Sequence, residues 1–364
     1  MSSLTLDHAS CVYPGGATPS VAEVSLAVRT GEFLVLLGAQ GAGKSTLLRL
    51  IAGLEETSAG SILIDHRDVT RLPPKHRDVA MVFQNYALYP QMSVSENMAF
   101  ALKVAGVSRE ERTQRVALIA QGLDLADQLD ASPADLTGRQ RQRVAVGRAL
   151  ARIPSVLLLD EPFTGLARAE RRELVGRIRR LTDTLGITTV YATRELPELD
   201  DPIERVAVIA HGRLRQADSL EHLRSDPADL DVARTVAGQP MACWTMTPDD
   251  DGTLHLDDQR RRVGGQPAAV VVGVPERQLH LADGAEGLPA IVEHTERHDD
   301  GTQSLMLRIT DRDRSECTVR VDSVGYEPGD RVFIAIDLDE LAVFDSATGI
   351  QLALPLRTPG AQPA

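Results

Sequence analysis

Aromatic side chains make up 3% of the 364 residues, and there is a single tryptophan. That scarcity argues against a surface of stacked rings for single-stranded nucleic acid and suits an aliphatic interior. Cysteine is scarcer still. Cys11, Cys243 and Cys317 stand far apart without paired spacing, which points to inert thiols in a reducing compartment rather than a disulfide framework or metal site. No apolar run approaches the ~20 residues that cross a bilayer, and no basic-then-apolar leader opens the sequence. The expectation is a soluble protein that meets a membrane only through a partner. Lysine is missing after residue 240: there, 22 acids face 11 arginines, a net of −11, whereas the first 240 residues hold 30 acids and 28 bases, net −2. The asymmetry suggests two units of different character and leaves no basic footprint for nucleic acid on the second. The acidic charge itself reads as a solvated surface.

At this length one compact core is insufficient, so two or three domains are expected. The first ~235 residues alternate short apolar runs with helical patterns, as in a parallel sheet covered by helices. FLVLLG (33–38), VLLLDE (156–161), TTVYAT (188–193) and RVAVIA (205–210) suit strands buried on both faces. Residues 4–6 and 21–28 read as antiparallel strands flanking a PGG turn, and residues 95–152 as mostly helical. After about Gly238 the texture changes to short β segments, among them AAVVVGV (268–274), SLMLRI (304–309), CTVRV (317–321) and RVFIAI (331–336), separated by DG, DD and PGD turns. That is an all-β barrel pattern with OB-like strand lengths.

Residues 38–46, GAQGAGKST, directly follow one of the apolar runs and open a helical one. Gly38, Gln40, Gly41 and Gly43 would present backbone N–H groups to phosphates, with the helix N-terminus favouring their charge. Lys44 is then placed to reach the β- and γ-phosphates, Ser45 to ligate Mg²⁺ through its hydroxyl, and Thr46 to follow on the helix. A chance glycine turn is the competing reading, and the strand–helix context opposes it. Asp160 ends a buried strand, where a Mg²⁺-organising carboxylate belongs. Glu161 beside it is placed to act as general base on the attacking water.

With these motifs the sequence resembles the ATP-binding-cassette (ABC) ATPases over essentially its whole length. VFQNYALYP (82–90) and MSVSENMAF (92–100) resemble the glutamine loop and helical-domain entry of the sugar-importer branch, the maltose and glycerol-3-phosphate type. RQRVAVGRAL (141–150) resembles the helix after the family signature, and LAVFDSATGIQL (341–352) the end of the branch's C-terminal barrels. The resemblance implies an α/β fold: a P-loop ABC ATPase core at 1–238, followed by an OB-like β-barrel regulatory domain at 239–364. The core would be a mostly parallel sheet with an antiparallel β subdomain and a helical subdomain at about 85–152. It also implies that Gln84 touches Mg²⁺ and the water, and that Tyr13 stacks on adenine. Thr137, Gly138 and Gln140 would touch a phosphate held by a facing protomer. The implied cofactors are ATP and Mg²⁺. The implied partners are two membrane permease subunits, a second cassette in a homodimer or heterodimer, and, indirectly, an extracytoplasmic solute-binding protein, with no nucleic acid. The location implied is the cytoplasmic membrane face.

Three positions depart from the family pattern. The signature segment reads LTGRQ, 136–140, with Arg139 in place of a glycine that lies against phosphate. Two outcomes are open for Arg139: pairing with phosphate, or swinging into solvent. Ala167 stands where an Asp is expected after the paired acids. Arg194 stands where the switch histidine follows TTVYAT, and none of the nine histidines is near it in sequence. Guanidinium only donates, whereas neutral imidazole also accepts. Loss of one positioned transition-state contact costs roughly 10²–10³ in turnover, so ATP binding with slow hydrolysis is the expectation. A further departure is Val274, where relatives carry an Arg before Pro-Glu in the barrel, and no regulator contact is carried across it. The leading functional reading is the energy-coupling subunit of a carbohydrate importer. The alternative is a hydrolysis-deficient regulatory paralogue paired with an intact cassette. ABC proteins acting on ribosomes or DNA are disfavoured by the single cassette and the acidic β domain.

Overall fold

The computed structural model describes residues 2–16, 18–83, 87–196, 203, 205–237, 241–256, 259–264, 267–282, 287–298, 300–310, 316–322, 325–336 and 342–352. The chain divides into two compact units, Met1–Leu220 and Glu221–Ala364.

In the first unit, β1 (Leu4–Cys11), β2 (Val21–Val28), β3 (Phe33–Leu37), α1 (Lys44–Ala52), β4 (Ala59–Ile64), β5 (Arg67–Asp68) and β6 (Val79–Val82) come first. They are followed by α2 (Val94–Val104), α3 (Arg109–Gly122), α4 (Gly138–Ala151), β7 (Val156–Asp160), α5 (Arg168–Leu185), β8 (Thr188–Thr193), β9 (Val206–Ala210) and β10 (Arg213–Asp218). A six-stranded sheet has the order β10-β9-β3-β8-β7-β6. It is parallel from β9 to β6, with β10 antiparallel at one edge. Every residue of β3, β7 and β8 is buried, which is why these strands read as unbroken apolar runs.

Leu34, Leu36, Leu158 and Val190 from one face of this sheet pack with Leu47, Leu50 and Ile51 of α1 and with Leu4, Leu6 and Val24 of the antiparallel sheet β2-β1-β4-β5. α5 buries Leu174, Val175 and Ile178 and reaches β3. α2, α3 and α4 pack on one another, and α4 also meets β6. Helix ends are marked in the sequence: Ser93 and Glu96 form a capping box on α2, as do Thr137 and Gln140 on α4. Buried Arg77 donates to the carbonyls of Leu50, Ile51, Thr70 and Leu72, satisfying backbone acceptors at the end of α1.

The second unit opens with α6 (Leu220–Ser225) at its margin and α7 (Leu230–Val236). Then come β11 (Met241–Met246), β12 (Thr253–Leu256), β13 (Gln259–Arg262), β14 (Val270–Pro275), β15 (Leu279–Leu281), β16 (Leu288–Arg297), β17 (Gln303–Ile309), β18 (Glu316–Val321), β19 (Arg331–Ile336) and β20 (Ala342–Asp345). An antiparallel five-stranded sheet, β15-β19-β16-β17-β18, curls until β18 approaches β15, giving a nearly closed barrel. A three-stranded sheet β11-β14-β20 and the hairpin β12-β13 accompany it. Trp244, Leu254, Val272, Leu307, Ile334 and Val343 share its separate core. The division at Leu220 precedes the 238/239 boundary expected from composition. The reason is local: Asp229 pairs with Ile350, and Leu230 N–H donates to the Gly349 carbonyl, so α7 is tied to the end of the barrel unit.

Candidate functional site

β3 ends at Leu37, the chain turns, and α1 starts at Lys44 with Gly43 as its N-cap. Gly43 has φ 104°, and a Cβ there would lie 2.8 Å from the Ser20 carbonyl oxygen and 3.2 Å from Gly212 Cα. Only glycine suits that turn. The loop borders a cavity of about 650 Å³ lined by Gln40, Gly41, Gly43, Lys44, Ser45, Thr46, Asp160, Glu161 and Arg194. Thr18, Pro19, Ser20, His211 and Gly212 complete the lining.

Lys44 is 3% exposed. Its ammonium donates to the Gly38 and Ala39 carbonyls at 2.7 and 2.9 Å and lies 3.1 Å from Glu161 Oε1, one acceptor for each of its three protons. Ser45 Oγ donates to Asp160 Oδ1 at 2.8 Å. Asp160 is buried at the end of β7. Desolvation pushes its pKa up, opposed by the Ser45 hydrogen bond. Glu161 follows with φ 43°, and its second oxygen, Oε2, lies 2.9 Å from Arg194 Nε. Both carboxylate oxygens therefore face a cation, Lys44 on one side and Arg194 on the other.

The fold thus brings Gln40, Gly41, Gly43, Lys44, Ser45, Thr46, Asp160, Glu161 and Arg194 to one cavity, with Gly38 beneath it as an acceptor for Lys44. Tyr13 does not line the cavity; its ring packs on the core and its hydroxyl lies 3.4 Å from Thr46 Oγ1. Gln84 lies outside the described residues. Thr137, Gly138 and Gln140 sit at the start of α4 and do not line this cavity. Arg139 is 61% exposed, and its guanidinium pairs with Glu170 in the first turn of α5. Ala167 is the N-cap of α5 and provides no side-chain cap.

His211, distant in sequence from Arg194, reaches the cavity with Gly212 from the β9–β10 turn, and Ser20 reaches it from just before β2. No spacing rule signals these three. His211 and Gly212 arrive through the pairing of β3 with β9 and the hydrogen bond from Gly212 N–H to the Ala42 carbonyl, and Ser20 through the bond from Ala22 N–H to the Gly212 carbonyl. The donor set fits Mg²⁺, which takes hard oxygens, one or two carboxylates and substrate phosphates rather than an all-protein cage. Ser45 and Asp160 supply two such oxygens, already 2.8 Å apart.

Comparison with known proteins gives this geometry its family. The ABC transporter family model matches residues 21–164. The chain is 49% identical over 256 residues to the diacetylchitobiose uptake system ATP-binding protein MsiK of Streptomyces coelicolor, covering 70% of this chain and 68% of that one. It is 40% identical over 342 residues, 92% of each chain, to the sn-glycerol-3-phosphate import ATP-binding protein UgpC 1 of Rhizobium johnstonii. It is 36% identical to the trehalose/maltose import ATP-binding protein MalK of Thermococcus litoralis, covering 92% of this chain and 95% of that one. Among solved structures, the ATP-binding subunit of an ABC transporter superposes with a TM-score of 0.53 at 25% identity, covering 61% of this chain and 91% of that one. A phosphate loop, two terminal-strand acids and an appended β-barrel unit, in a chain similar end to end to such subunits, have one family in common: the chain belongs to the ATP-binding subunits of ABC transporters.

Proposed function

We propose that the chain binds Mg²⁺-ATP and hydrolyses it to drive import of a carbohydrate or related polyol phosphate. Its partners would be two membrane permease subunits, a second cassette and, indirectly, a solute-binding protein. The carrying observation is the gathering of Lys44, Ser45, Asp160, Glu161 and Arg194 at one cavity. Full-length relatives that import glycerol-3-phosphate and trehalose or maltose support the solute class. They also favour a motor over a non-hydrolysing companion of another cassette. Among the described residues no helix is long and apolar enough to cross a membrane.

In this reading the phosphates compete with Gly38, Ala39 and Glu161 for the Lys44 ammonium, as a multiply charged anion does against carbonyls and one carboxylate. Ser45 and Asp160 would hold Mg²⁺, which when bound would supply positive charge to offset that of the phosphates. Glu161 takes the proton of the attacking water once that water wins a place among the donors on its carboxylate. Arg194 holds Glu161 and turns its remaining N–H groups to phosphate oxygens. Thr137, Gly138 and Gln140 act on the phosphate of the facing protomer, Tyr13 adjoins the base end, and Gln84 orients the water.

The test is Mg²⁺-ATP binding and steady-state turnover of the purified chain beside Lys44→Ala and Glu161→Gln. Lys44→Ala is expected to lose binding, and Glu161→Gln to keep binding while turnover falls by about 10² or more. Turnover that both variants retain would overturn the assignment.

A further inference from the structure

Three ion pairs follow one another around the start of α5. Arg194 Nε meets Glu161 Oε2 at 2.9 Å. The next residue, Glu195, accepts from Arg171 Nη2 at 2.5 Å. The residue before Arg171, Glu170, accepts from Arg139 of the signature turn. Lys44 extends the row beyond Glu161 at 3.1 Å. Lys44, Glu161, Arg194, Glu195, Arg171, Glu170 and Arg139 therefore form a file of alternating charge from the phosphate loop to the first turn of α4. Each step is either a side-chain ion pair or a peptide link.

The file contains two of the departures from the family pattern, Arg139 and Arg194, and the third adjoins it. Ala167, the α5 N-cap, has no side chain to form a capping box with Glu170 at the third helical position, and Glu170 takes Arg139 instead. Glu195 is fixed locally as well, because its N–H and carbonyl both meet Thr193 Oγ1. Arg171 and Glu195 are 22% and 67% exposed, and Arg139 and Glu170 61% and 36%. Exposed pairs of this kind add little to stability, so the consequence of the row is positional.

We propose that Glu170, Arg171 and Glu195 are positioning residues that link Arg139 to the Glu161 carboxylate, so that what Arg139 binds at the signature turn sets how Glu161 is held. The link rests on the ATP-coupled reading above. The anion that outcompetes a single exposed carboxylate for Arg139 is a phosphate group, which guanidinium binds in bidentate fashion. When Arg139 turns to it, Glu170 loses its cation. The start of α5, uncapped at Ala167, then shifts Arg171 and the 194–195 turn with it. On that reading the phosphate would be the one held by a facing protomer.

The test is a double-mutant cycle on the full chain: wild type, Arg139→Gly, Arg171→Gln and the double variant, with kcat and KM for ATP measured separately. Arg139→Gly alone is expected to change kcat at least about threefold with KM nearly constant, and to change it by less than about 1.5-fold once Arg171→Gln has cut the row. Arg171→Lys is expected to restore the dependence. An equal effect of Arg139→Gly in both backgrounds, or none in either, overturns the link. The cycle is read in parallel as the shift in thermal midpoint that Mg²⁺-ATP produces, so a chain that binds ATP but turns over too slowly still decides the matter. Lys44→Ala separates the two failures: turnover and binding lost in that variant, with additive behaviour in the cycle, sinks the link alone. Turnover indifferent to Lys44→Ala sinks the underlying reading.

Discussion

Arg194 Nε lies 2.9 Å from Glu161 Oε2, so the residue standing at the switch-histidine position grips the carboxylate assigned as general base. Lys44 takes the other oxygen at 3.1 Å. A permanently charged guanidinium cannot release that carboxylate by losing a proton, whereas an imidazole can. The departure at 194 thus acts on the base as well as on the phosphate.

Arg194→His is accordingly expected to raise ATP turnover by about tenfold, a fraction of what one positioned contact is worth. The gain should appear above pH ~6.5, where the new imidazole is neutral, and vanish below it, where imidazolium grips Glu161 as Arg194 does. The check is the ratio of the two pH–rate profiles between pH 5.5 and 8. A flat ratio, or turnover lower at every pH, would remove Arg194 from control of Glu161.

Ala167, the N-cap of α5, makes no side-chain cap hydrogen bond. Ala167→Asp supplies one and is expected to stabilise the first unit by about 1 kcal/mol, raising its thermal midpoint by about 2–4 °C. Calorimetry of the two proteins without nucleotide reads this directly. An unchanged or lower midpoint would mean that the α5 start does not accept a cap.

Much of the nucleotide-binding unit was legible because its strands are buried on both faces: 33–38, 156–161, 188–193 and 205–210 stand out as apolar runs, and each became a strand. The phosphate loop announced itself through glycine spacing after such a run. Other features lacked a local signal. β16 carries Pro289 near its start and charged residues through its second half, so it breaks the usual strand pattern. His211 joins the site through parallel pairing of β3 and β9, a contact between distant segments. The fate of Arg139 depended on Glu170, 31 residues away, and no periodicity relates the two. Nor did the composition shift near Gly238 mark the division at Leu220, because hydrogen bonds to residues 349–351 recruit α7 to the second unit.

Asp160 links stability to pH. Burial raises its pKa above that of the unfolded chain, so its favourable contribution exists at low pH and is lost as the pH rises through the folded value. At neutral pH the buried carboxylate is therefore a cost in the free protein, one that a cation bound there would offset. Asp160→Asn keeps an acceptor for Ser45 Oγ and removes the charge. Its thermal midpoint is expected to exceed wild type by about 2–4 °C at pH 7 and to converge on it near pH ~4, while the Mg²⁺-dependent part of ATP binding disappears. Equal midpoints at pH 7 would show that the carboxylate is not held at a cost.

Val274 stands just before Pro-Glu at the end of β14, and placing an arginine there tests what the barrel unit tolerates. It is fully buried on β14 opposite Ala242 and shares a core with Val272, Trp244 and Val343. A guanidinium placed there enters apolar surroundings, and an uncompensated buried charge costs about 3–5 kcal/mol. Val274→Arg is therefore expected to lose most of the second unit's stability. Because the first unit has its own core, Mg²⁺-ATP binding should survive. Denaturant unfolding of the variant, read by Trp244 fluorescence, reports on the second unit because the sole tryptophan of the chain lies in its core. A midpoint matching wild type would place the side chain at 274 outside the barrel core and restore an arginine-based contact as an option for this chain.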